Sequence, residues 1–204
     1  MHILFIGSCR LIPLAYYFQG LGLTVYRLDI SKEWPDMTDI LKQIDLIVCE
    51  PSLRVDFFFE SNPMPDTKVY VVPNLELRMY VHDLLHVFHV KFEYISLYQA
   101  YQESRRKLSQ ELQDYESLDA FIDEHLQTTK LFSSYNHPMP VLTILLFQRL
   151  AERMHLEIPE AWLEQCRTMQ FLQGHDTPLF EVDRDLYQLA FIQETEPRER
   201  LAIP

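Results

Sequence analysis

His2-Ile3-Leu4-Phe5-Ile6-Gly7-Ser8-Cys9-Arg10 is the stretch on which the reading of this chain turns. An apolar run ends in glycine, then two small potential nucleophiles, then a cation. Pro13 follows, and behind it a helical pattern over 14–19. The order predicts a buried strand over 3–6, a tight turn and a helix N-terminus. In α/β proteins, ligands and catalytic groups collect at the turn that follows a strand's carboxyl end.

The pattern repeats outward from there. The first helix carries Leu14, Ala15, Tyr17 and Phe18 and should exit at Gly20-Leu21-Gly22. Thr24, Val25 and Tyr26 favour a second strand over 23–28, with Asp29 just past its end. A short helix is expected over 37–43, capped by Asp36 or Thr38. Leu46-Ile47-Val48-Cys49 reads as the third strand, broken by Glu50-Pro51-Ser52. The Phe57-Phe58-Phe59 region is ambiguous between a buried element and a pocket wall. A fourth strand is expected over 68–72, ended by Pro73-Asn74. Strands that are continuous apolar runs, alternating with helices, imply a parallel sheet covered on both faces. The expected class is therefore α/β: about four or five parallel strands flanked by helices, a Rossmann/flavodoxin/SGNH-like layout, with a mostly helical C-terminal half. The expected organisation is one domain over 1–204, with an α/β core over 1–75 and a mainly helical part over 76–204.

In the later part, 75–90 holds Tyr80, His82, His86 and His89 among apolar residues and is open between helix and loop. Helices are expected over 96–113, 117–128, 141–154 and 159–171. An aromatic-rich loop over 130–140 precedes the third of these, which has proline in its first turn.

The net charge of −12 argues against a general nucleic-acid binder, which needs a basic surface, but allows a local site for an anionic small ligand. No apolar run reaches membrane-spanning length and none has the form of a leader, so membrane insertion is not expected and a cytoplasmic protein is. Three widely spaced cysteines, Cys9, Cys49 and Cys166, form neither a disulfide framework nor a close-spaced zinc site, and no metal is expected.

Cys9 is the sharpest chemical candidate. A thiol at a helix start beside Arg10 is favoured as thiolate, the reactive form. The alternative is a small residue packed in a turn, since cysteine is commonly buried and inert. Ser8 is a rival nucleophile and would need its own base. Asn136-His137-Pro138 supplies a second candidate. His137 is expected just before a helix, where the dipole disfavours imidazolium and a neutral ring can accept a proton. The alternative is a loop histidine, with Asn136 as helix cap. His82, His86 and His89 would share one helix face, but no carboxylate-rich metal motif accompanies them. Asp29 stands where nucleotide folds place a ribose-binding acid, yet Gly7-Ser8-Cys9-Arg10 lacks the three-glycine fingerprint of a dinucleotide site. Arg105-Arg106-Lys107 reads as a solvated face.

Taken together, four segments resemble the WcbI family, acetyltransferases of capsular polysaccharide biosynthesis. Gly7-Ser8-Cys9-Arg10 is similar to the family's Gly-Asn-Cys-Gln motif after an opening strand. Leu46-Ile47-Val48-Cys49-Glu50-Pro51, Val71-Val72-Pro73-Asn74-Leu75 with Tyr80, and Leu131-Phe132 through Asn136-His137-Pro138 follow in the family's order over about 1–155, and Pro178-Leu179-Phe180 matches more loosely. The resemblance implies coenzyme A or acetyl-coenzyme A as co-substrate, with acyl, most simply acetyl, transfer to a sugar hydroxyl. Cys9 would accept or help to hold the acyl group, and His137 would deprotonate the thiol or the sugar. Backbone N–H groups after the first strand would steady the oxyanion. The implied cofactor contacts are Gly7, Ser8, Arg10 and Asn136, with Arg78 and Arg106 as further cations for the phosphates. Ser8 replaces the family's asparagine and Arg10 its glutamine, which removes an amide donor near the oxyanion and leaves the acceptor open. The implied partners are an acyl donor and a sugar acceptor; a homo-oligomer stays open. Two other classes stand beside this one, an SGNH-like esterase or hydrolase using Ser8 and a non-catalytic ligand-binding protein of the same fold.

Overall fold

A computed structural model describes residues 1–64, 66–79, 94–169, 171, 183 and 187–190. The chain forms two compact units, Met1–Asn74 with Pro140–Phe171, and Leu75–Met139 with Leu172–Pro204. The first unit joins the opening stretch through Asn74 to 140–171.

The first unit contains β1 (His2–Gly7), α1 (Leu11–Gly20), β2 (Thr24–Asp29), α2 (Thr38–Leu41), β3 (Leu46–Cys49), α3 (Leu53–Ser61) and β4 (Lys68–Val71), then α6 (Pro140–Arg153) and α7 (Glu160–Thr168). The four strands form one parallel sheet in the order β2-β1-β3-β4. β1 is central, with Ile3 to Ile6 paired to Val25–Leu28 on one side and to Leu46–Cys49 on the other. Ile3, Leu4, Phe5 and Ile6 are all fully buried, which is why the strand reads as an unbroken apolar run rather than an alternating one.

Each face of the sheet has its own cover. Phe5 meets Phe18 of α1 at 5.7 Å between ring centroids, and Phe18 meets Phe147 of α6 edge-on at 5.0 Å. On the opposite face, Leu4, Ile6, Ile47 and Cys49 pack with Val55 and Phe58 of α3, and Trp34 meets Phe58 edge-on. The ambiguous region around Phe57 is thus helical, with Ser52 as its N-cap: the Ser52 hydroxyl oxygen accepts from the Val55 N–H at 3.2 Å. Of the three phenylalanines only Phe58 is buried in the core, while Phe57 is exposed.

α1 begins at Leu11, two residues before Pro13 rather than after it. Pro13 is tolerated because the first helical N–H groups have no intrahelical partner to lose. The helix ends as expected: Gly22 takes a φ of +78° and donates its N–H to Gln19 O at 3.0 Å. Gly20 serves a different need. A Cβ there would come within 1.8 Å of the Trp162 indole of α7, whose Nε1–H donates to Tyr17 O at 3.0 Å.

The second unit contains α4 (Tyr94–Glu111), α5 (Glu116–His125) and a small antiparallel pair, β5 (Phe132–Ser134) and β6 (His137–Pro138). Arg105 ties the two helices, with contacts to Asp119 at 2.8 Å and Asp123 at 2.6 Å. This corrects the expected solvated face: Arg106 and Lys107 are exposed beside Glu103, but Arg105 is largely buried between helices. The expected loop over 130–140 also proves to be a hairpin. Tyr80, His82, Asp83, His86, His89, 178–180 and the charged tail lie outside the described residues. Among the described residues, no helix is long and apolar enough to cross a membrane.

Candidate active site

In a parallel sheet ordered β2-β1-β3-β4, the connections leave β1 and β3 in opposite directions. The crevice at the carboxyl ends of these two strands is the topological switch point, where open α/β sheets bind ligands. Gly7, Ser8, Cys9 and Arg10 leave β1 there, and Glu50 leaves β3 beside them. Gly7 is required for room: a Cβ would lie 2.5 Å from Leu11 Cδ1 and 3.0 Å from Glu50 Cδ.

Glu50 is buried and organises the turn. Its Oε2 accepts the Ser8 N–H at 2.8 Å and its Oε1 accepts the Ser8 hydroxyl at 3.2 Å. Arg10 Nε lies 3.1 Å from Oε1, and Arg10 Nη2 donates to Oε2 at 3.4 Å. Arg10 Nε also donates to Ser8 Oγ at 3.0 Å, and Arg10 Nη1 donates to Asn74 Oδ1. All three nitrogens of the guanidinium therefore already face an acceptor. The Ser8 hydroxyl is held between a carboxylate and a guanidinium. Glu50, which the sequence shows only as part of the break after the third strand, is the partner of Arg10.

Cys9 opens the first turn of α1, where its carbonyl accepts the Ile12 N–H at 3.1 Å, and it is partly exposed. Cys49 and Cys166 are buried. Burial, followed by the nearby Asp56 and Glu50 charges, pushes the Cys49 thiol from 9.0 up to about 11, and burial does the same to Cys166. A raised thiol holds its proton in the folded state after the unfolded chain has lost it. The stabilisation it gives is present below pH 9 and is lost as pH rises towards 11. A rise of this size corresponds to roughly 2–3 kcal/mol. Urea unfolding at pH 8 and pH 10.5 should therefore show a larger alkaline loss in the wild type than in Cys49→Ala. Equal losses would remove the Cys49 contribution.

His137 lies in β6 and not immediately before α6, which starts at Pro140. No helix dipole needs to be invoked for it. The ring is buried, and its Nδ1 lies 2.6 Å from the Ser134 hydroxyl oxygen. The same hydroxyl is 3.3 Å from Asn136 Oδ1. When the hydroxyl proton points to Asn136, the His137 Nδ1–H donates to Ser134 Oγ and the ring's lone pair is on Nε2. Asn136 sits in the hairpin turn and takes part in this chain of contacts in place of capping a helix. Sequence reading missed Ser134, although Ser133-Ser134-Tyr135-Asn136-His137 places a hydroxyl three residues before the ring.

Arg78 is exposed, and its backbone N–H donates to the buried Ser104 hydroxyl of α4 at 2.8 Å. Arg106 is exposed on α4, two residues after Ser104, and so points away from that contact. Asp29 closes a local turn: hydrogen bonds from the Ser31 hydroxyl and N–H hold its carboxyl below the ordinary range. Among the described residues, no group of three or more His, Cys, Asp and Glu is placed to hold a metal ion.

No family model matches the chain, and no curated protein matches it. Among solved structures it is similar to WcbI, described as a novel polysaccharide biosynthesis enzyme, in a native form without a disulfide bond between coenzyme A and a cysteine. The TM-score is 0.63 over 94% of this chain and 80% of that one, at 12% identity. The likeness is one of fold. It extends the parallel sheet and its helices to a WcbI-like arrangement.

Proposed function

We propose that this chain is a coenzyme A-dependent acyltransferase of the WcbI family. It would pass an acyl group, most simply acetyl, to a sugar hydroxyl in polysaccharide or glycoconjugate biosynthesis. The observation that carries the reading is Cys9: the partly exposed thiol of the three, at the carboxyl end of the central strand, in a fold shared with a protein whose description pairs coenzyme A with a cysteine.

In this reading the Cys9 thiolate attacks the thioester carbonyl of the acyl donor. A carbon–sulfur bond forms to Cys9, and the donor's thiol leaves. The sugar hydroxyl then attacks acyl-Cys9 and gives its proton to a base, the role that the family resemblance implies for His137, so that an ester forms and the thiolate of Cys9 is regenerated. The Arg10 nitrogens already face Glu50, Ser8 and Asn74, which weighs against Arg10 as the cation for the donor's phosphates. Reaction in the cytoplasm and a homo-oligomeric assembly belong to the same proposal.

Hydrolysis by Ser8 is less well supported, since its hydroxyl is engaged by Arg10 and Glu50. The test is thermal denaturation with and without acetyl-coenzyme A, followed by acyl transfer in Cys9→Ala. A ligand at 100 times its Kd stabilises the native state by about 2.7 kcal/mol, so the midpoint should rise by several degrees. Transfer should be lost in Cys9→Ala. An unmoved midpoint at millimolar ligand would overturn the reading, and full activity in Cys9→Ala with loss in Ser8→Ala would move it to Ser8.

A further inference from the structure

We infer that Glu50 and Arg10 act as a matched pair that sets the reactivity of Cys9, with Glu50 as a positioning residue and not a ligand contact. This rests on the proposed reading only in taking Cys9 as the reactive thiol.

Cys9 lies in the chain between Ser8 and Arg10, the two residues that Glu50 holds. The carboxylate fixes the turn from both sides, through the Ser8 N–H at 2.8 Å and the guanidinium at 3.1 Å. Arg10 and Glu50 are both largely buried, with side-chain exposures of 13% and 4%, so solvent screens their charges poorly. A lone arginine next to the thiol would favour thiolate strongly. With Glu50 against it, the pair presents almost no net charge to Cys9, and a change to either member alone unbalances it. Asp29 also lies at this end of the sheet, but its carboxylate is taken up by Ser31 and by Lys32 at 4.0 Å. The Arg10–Glu50 balance is therefore the charge that can be altered here. It also gives a reason for an arginine in this turn that needs no phosphate: the cation serves the buried acid, and the two together fix the backbone that carries the nucleophile.

The two members of such a pair must act with opposite sign, which a purely structural role would not produce. Glu50→Gln keeps the shape and most hydrogen bonds but removes the negative charge, and should raise the rate of Cys9 alkylation by iodoacetamide at pH 7 by about three- to tenfold. Arg10→Gln should lower it by a similar factor. The double variant should return to within about twofold of wild type, and Arg10→Lys, which keeps the charge, should stay near wild type. Labelling is read at Cys9 by peptide mass, and circular dichroism confirms that each variant is folded. If one single variant fails to fold, the other still carries the comparison against wild type, since the sign of its change is fixed in advance, and no change or a change of the opposite sign in it would overturn the inference. Changes of the same sign in both single variants, or none in either, would overturn the inference. Full acyl transfer in Cys9→Ala would instead overturn the reading of Cys9 itself.

Discussion

Replacing Phe147 by alanine is expected to lower the free energy of unfolding by about 3–5 kcal/mol, the largest single-residue effect on stability in the first unit. Phe147 is fully buried on α6, with ring centroids 5.4 Å from Tyr17 and 5.0 Å from Phe18. Those two rings are themselves fully buried, and Phe18 in turn rests on Phe5 of the central strand. A cavity opened here is walled by rigid aromatic rings that cannot close over it, which puts the cost at the upper end of the range. Tyr17 adds to this. Its burial, and then the nearby Cys166, push its hydroxyl well above the usual phenol range, as expected of a ring sealed from water. Phe57→Ala, on the exposed side of α3, is the control and should change stability by no more than about 0.5 kcal/mol. Urea denaturation of both variants decides the matter; a loss below about 1 kcal/mol at Phe147 would mean that α6 does not anchor α1.

Replacing His137 by alanine should lower kcat for acyl transfer by about 10²–10⁴-fold, with little change in the KM for the acyl donor. This belongs to the proposed acyltransferase reading. The size follows from the role: a base acts on a proton that moves in the transition state, so its removal affects turnover more than binding. The neighbouring hydroxyl separates this from a packing effect. Ser134 Oγ lies 2.6 Å from Nδ1 and helps to choose which ring nitrogen carries the proton. Ser134→Ala should therefore lower kcat by about tenfold, and Ser134→Thr, which keeps the hydroxyl, should recover most of the rate. Steady-state kinetics with acetyl-coenzyme A and a sugar acceptor provide the measurement. Full turnover in His137→Ala would remove the residue from the mechanism.

The parts of the fold that could be read in advance are those with long apolar runs. Ile3-Leu4-Phe5-Ile6 and Leu46-Ile47-Val48-Cys49 declare themselves as strands buried on both faces, and the glycines at 20 and 22 mark the end of the helix between β1 and β2. The hairpin of Phe132–Ser134 with His137–Pro138 did not show, because strands of three and two residues have no periodicity to detect. The helix after Ser52 was obscured by its three consecutive phenylalanines, which suit a strand as well as a helix. At the candidate site, Gly7, Ser8, Cys9 and Arg10 stood out because they interrupt an apolar pattern. Glu50 and Ser134 did not, because their importance lies in contacts. Glu50 meets Arg10 across 40 residues of sequence, and a pairing at that separation leaves no local trace.

The central strand is also synthesised well before one of its covers. β2 and β3 follow β1 closely in the chain, but Phe147 on α6 comes much later. At typical elongation rates the aromatic face of the young sheet would remain without that helix for on the order of ten seconds. During that interval Phe5 and Phe18 offer sticky surface to neighbouring nascent chains. The vulnerable species in expression is then a polypeptide stalled or truncated between α3 and α6, whose yield should depend on chaperone supply more steeply than that of the finished protein.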